Sequence, residues 1–72
     1  MANPDAYRRA LAEGDVDGLA ALFVEDHPHL PAPLGRHERE VQFHLARVGT
    51  RSVHEAQRHL SRRWLTANGY PA

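Results

Sequence analysis

Six histidines and no cysteine stand among the 72 residues of this chain, and imidazole is both a common metal ligand and the side chain that titrates nearest neutral pH. His37, Glu40 and His44 fall on neighbouring turns along one edge of a helix, and His27 and His29 would point the same way in an extended segment. Such a set could hold zinc or nickel. The His-Glu-x-x-His spacing and thiolate ligands that mark zinc sites are missing, however. Packed or solvated histidines account for the pattern more simply, with Glu40/His44 and Glu55/His59 as i to i+4 helix contacts. Nucleophilic chemistry finds less to work with. Ser52 sits where a helix cap is needed, no aspartate follows Asp26, and no glycine-rich phosphate loop is present. The expectation is a protein without catalytic residues, cofactor or metal.

All nine basic residues are arginine, balanced by nine acids. Residues 1–35 carry six acids and two arginines, whereas residues 36–72 carry seven arginines and three acids, so the halves stand at −4 and +4. Either the halves dock on each other or the basic half meets nucleic acid or an acidic protein. Exclusive use of arginine beside abundant Ala, Leu, Gly and Pro suggests GC-rich coding, as in a bacterium or phage. The longest apolar run, Leu19 to Val24, is far short of the roughly 20 residues that cross a bilayer. A cytoplasmic protein without membrane contact is expected.

The elements that must position these residues follow from punctuation. Asn3-Pro4-Asp5 can cap and open a helix over residues 4–13, and Gly14 suits its left-handed close. Asp15 caps a second helix over 16–26, whose Val16, Leu19, Ala20 and Phe23 share one face with Leu22 at its margin. Prolines at 28, 31 and 33 make His27 to Gly35 a stiff linker. A third helix over 36–48 aligns Val41, Leu45 and Val48 with Leu34 upstream. Ser52-Val53-His54-Glu55 matches the capping box, opening a fourth helix over 53–68 with Val53, Ala56, Leu60, Trp64 and Ala67 in one narrow stripe and Gly69 beyond its end. The predicted fold is all-α: one domain over 1–72, two short helices, a proline-rich linker and a C-terminal αα-hairpin. A DNA-binding helix-turn-helix fits less well, because Leu45 falls where close approach needs a small residue and Glu55 near a position that is normally buried.

With those stripes taken as core, a second face remains. Phe43 lies about 160° from the middle of the third helix's apolar stripe, among Arg36, Arg39 and Arg47, and Leu65 lies off the Trp64 face beside Arg58 and Arg62. Aromatic residues and arginines are enriched at interfaces. Arg36, Arg39, Phe43, Arg47, Arg58, Arg62 and Leu65 are therefore the predicted partner-binding set of a small non-enzymatic protein-binding or regulatory module. The small core of so short a chain adds an expectation of a homodimer. Nucleic-acid binding through the same arginines is the first alternative and His/Glu metal binding the second. A structural account competes with all three: the first or second helix covers Phe43 and the arginines pair with Asp17, Glu25 or Asp26.

The stretch Arg9-Ala10-Leu11-Ala12-Glu13-Gly14-Asp15-Val16-Asp17-Gly18-Leu19-Ala20-Ala21-Leu22-Phe23 resembles the opening helices of polyketide-cyclase-like members of the nuclear-transport-factor-2-like superfamily. Those domains continue into a strongly curved sheet, for which this chain has neither the length nor the β-rich segments. The resemblance therefore implies no more than a helix, a glycine-aspartate turn and a helix.

Overall fold

The computed structural model describes residues 3–32 and 35–71, and among these every regular element is helical. Four helices follow in order: α1 (Pro4–Glu13), α2 (Val16–Asp26), α3 (Arg36–Gly49) and α4 (Glu55–Ala67). The Asn3 side chain accepts from the Asp5 amide at 2.8 Å, and Gly14 closes α1 at φ +73°. The Asp15 carboxylate then accepts from the Gly18 amide at 2.9 Å. A β-carbon at residue 18 would stand 2.1 Å from that carboxylate, so a larger residue there would require the Asp15 side chain to turn.

At the far end Gly69 adopts φ +83°, and the Tyr70 amide reaches back to the Leu65 carbonyl at 2.9 Å, a Schellman close. The start of α4 departs from expectation. It opens at Glu55, and the capping side chain is His54, whose Nδ1 accepts from the Ala56 amide at 3.1 Å. Ser52 instead lies in a turn closed by the Val53 amide on the Thr50 carbonyl, and Val53 is buried. Burying Val53 holds the chain away from α4's axis, which places the first free amides of the helix within reach of His54. The position of Leu34, expected to extend the apolar stripe of α3, lies outside the described residues.

Helix α3 is the central element. Phe43, 2% exposed, joins Ala10 and Leu11 of α1, Leu19 of α2 and Val53 in the core, with Tyr7, Val16, Leu22, Phe23 and Ala46 packed around them. Helix α4 lies along another flank of α3, where His44 meets Ser61 and Trp64 and His37 meets Trp64 and Tyr70. The molecule measures about 30 × 25 × 16 Å, a slab.

This arrangement corrects the facing of both C-terminal helices. Phe43 and Leu65, expected on an outward face, are core residues at 2% and 0% exposure, whereas Leu45 and Leu60, expected in the core, are 49% and 58% exposed. A large aromatic removes more apolar surface from water than the valines of the competing stripe, and burying it requires its neighbour Arg47 to find partners inside. It does. The Arg47 Nε donates to the Leu11 carbonyl at 2.8 Å, and its guanidinium lies 4.6 Å from the Phe43 ring centre.

Candidate interaction surface

Of the seven residues predicted to bind a partner, three are structural. Besides Phe43 and Leu65, Arg47 is only 9% exposed, and burial pulls its guanidinium below the usual arginine range. Its bond to Leu11, with that of Gln57 Nε2 to the Ala12 carbonyl at 2.9 Å, satisfies carbonyls in the last turn of α1, where a helix end otherwise leaves acceptors unpaired and carries partial negative charge. Arg39 is tied to α2 through Asp17 at 2.9 Å, and Arg36 pairs along its own helix with Glu40 at 3.1 Å. The Arg39–Asp17 pair realises the docking of the basic half on the acidic half. Arg58 and Arg62 are half-buried on α4, and the Nε of Arg58 is buried without a hydrogen-bond partner among the described residues.

The histidines do not converge on a metal. Among the described residues, no group of three or more His, Cys, Asp or Glu side chains is placed to hold one. His44 instead stacks on Trp64 with ring centres 4.4 Å apart, and its Nδ1 shares a 2.8 Å hydrogen bond with Ser61 Oγ. Burial is the main cause that lowers the His44 pKa from 6.5; the Arg47 charge lowers it further and Glu40 opposes. Ser61, wholly buried, is tolerated between α3 and α4 because this bond satisfies it. Sequence reasoning passed over Ser61. Its i to i+4 spacing from Leu65, facing a histidine, was the available signal.

An open cleft of about 480 Å³ lies over Leu11 and Leu19, walled by Tyr7, Phe23 and Ala46. Two of its hydroxyls are engaged within the fold: Tyr7 donates to Asp26 and to the Leu22 carbonyl, and Thr50 Oγ1 donates to Ala46 O at 2.7 Å. Burial first, and the Asp26 bond and charge next, push the Tyr7 hydroxyl up to about 12. The cleft is thus closed at one end by a strap from α1 to the end of α2.

The surface that stands out is on α4. At about 100° per residue, Ala56, Leu60, Trp64 and Ala67 fall within an arc of about 80°. That arc is turned by about 125° from the buried pair Ser61 and Leu65. Ala56, Leu60 and Ala67 are exposed and Trp64 half-buried, so of the stripe read as core Val53 alone is buried and the other four form a row turned away from the Ser61 and Leu65 contact. His59 and Arg63, both exposed, border it on one side. No described helix is long and apolar enough to cross a membrane. No known protein family, curated protein or solved structure matches this chain.

Proposed function

We propose that the chain is a small non-enzymatic protein-binding module whose docking surface is the α4 stripe of Ala56, Leu60, Trp64 and Ala67. The observation that carries this reading is Leu60, 58% exposed at the centre of a stripe with helical spacing. Apolar residues in such a row lose contact with water when a partner helix lies along them, and small residues at both ends of the row let its backbone approach. The reading keeps the interaction role expected from sequence but moves it from the Phe43 and arginine face, which the fold consumes, to the neighbouring one.

The same placement weighs against nucleic acid as the main partner. Arg47 is held inside the fold, Arg39 is paired with Asp17 at the surface and Arg36 with Glu40, so few of the arginines proposed for phosphate contacts are free to act together. At concentrations low enough to keep the chain monomeric, wild-type protein is expected to enhance the fluorescence of an apolar dye, and Leu60→Glu to lose most of that signal while keeping its helical circular dichroism. Random-sequence DNA and RNA are expected not to shift in mobility assays at moderate salt. Strong, salt-sensitive nucleic-acid binding with no dye response would overturn the proposal.

A further inference from the structure

Resting on that reading, we infer that the occupant of the α4 stripe is a second copy of this chain, its α4 running antiparallel across a two-fold axis. The spacing of the stripe is nearly symmetric. Ala56 and Ala67 lie at equal distances on either side of a centre between residues 61 and 62, and Leu60 and Trp64 lie nearly so. Antiparallel pairing about that centre sets Ala56 against Ala67 of the second copy and Leu60 against its Trp64. Large meets large in the middle and small meets small at both ends. A surface that complements itself under a two-fold rotation is what an isologous dimer requires, and a contact of this kind closes after two copies.

The shape of the molecule agrees. Helix α4 packs chiefly on α3 and forms an edge of the slab, leaving Ala56, Leu60 and Ala67 exposed and Trp64 half-buried against His44. The chain exposes 4958 Å², about a tenth more than the roughly 4,500 Å² of a compact monomer of its mass. Pairing two α4 helices turns two edges into an interior. A seam about 20 Å long is at the small end of specific interfaces, so dissociation in the micromolar range is expected. The arginine and histidine border adds a further feature: the two-fold operation brings the His59 and Arg63 edges of both copies together. Arginines that meet in this way make association stronger, not weaker, as salt rises.

The chain has no cysteine, which permits a direct test of orientation. Sedimentation equilibrium of the full chain across the micromolar range is expected to show a monomer–dimer equilibrium, and Leu60→Glu a folded monomer. Under mild oxidation, a mixture of Ala56→Cys and Ala67→Cys chains is expected to form the mixed disulfide dimer, while either variant alone forms little. Preferential homodimer formation by Ala56→Cys alone would contradict the antiparallel register. A wild-type chain that stays monomeric at every concentration but binds apolar dye through Leu60 would remove the second copy and leave the stripe to a different chain. A monomer that binds no dye would remove both readings.

Discussion

Toward α1 and α2, α3 presents Phe43, Ala46 and the stem of Arg47 to an apolar core fixed by charged hydrogen bonds. Toward α4 it presents His37 and His44, which meet Trp64, Tyr70 and Ser61. The first contact removes a large aromatic almost wholly from water. The second joins two half-buried rings, two exposed ones and one satisfied hydroxyl, and leaves Leu45 and Leu60 outside. Two helix contacts of one chain thus serve different ends: one holds the fold, and the other fixes a helix whose remaining apolar residues are free to face a partner. A domain this small removes only about 60% of its chain surface from water, so leaving apolar residues uncovered on α4 is costly unless something else covers them.

The largest effects of substitution are expected on the core side. Phe43→Ala is expected to destabilise the chain by about 3–5 kcal/mol, measured by chemical denaturation, because it empties the centre of the core. Arg47→Met retains much of the buried stem but leaves the Leu11 carbonyl without its donor. A loss of about 1.5–3 kcal/mol is expected, as for a hydrogen bond to a charged group.

The α4 side should show itself through pH. Since the folded protein holds His44 below its ordinary value of 6.5, the neutral ring is the form the fold prefers. Its contribution is therefore present above 6.5 and is lost as pH falls through the lowered value. The melting temperature of the monomer is expected to fall on acidification, and His44→Gln, which can still bond Ser61 without titrating, to fall less. An identical acid response in both would assign the effect to other groups. The smallest effect separates two caps: His54→Ala is expected to cost about 1 kcal/mol, whereas Ser52→Ala should change stability by less than about 0.5 kcal/mol.

Those caps mark what could be read in the sequence. Asn3-Pro4-Asp5, Gly14-Asp15 and Gly69 act through their nearest neighbours, and the helices they bound lie within a residue or two of expectation. Ser52 failed because a distant event, the burial of Val53 against Phe43 and Leu11, decides where α4 starts. Facing failed for a related reason. Helix α3 carries two apolar faces, and the choice between them depends on whether Arg47 finds an acceptor inside, which the end of α1 supplies. On α4 the buried face is centred on a serine that reads as polar until His44 is placed opposite it. Of the predicted interaction set, the helix-forming positions were legible and their inward or outward sense was not.

The central claim, that the Leu60 stripe is a docking face while Phe43 is the core, is tested most directly by the stability of Leu60→Ala. The measurement should be made by denaturant titration at concentrations where the chain is monomeric. A midpoint within about 0.5 kcal/mol of wild type is predicted, the behaviour of a surface position. A loss of about 2–5 kcal/mol, as for a buried leucine, would show that α4 buries the stripe within its own chain and would contradict the account.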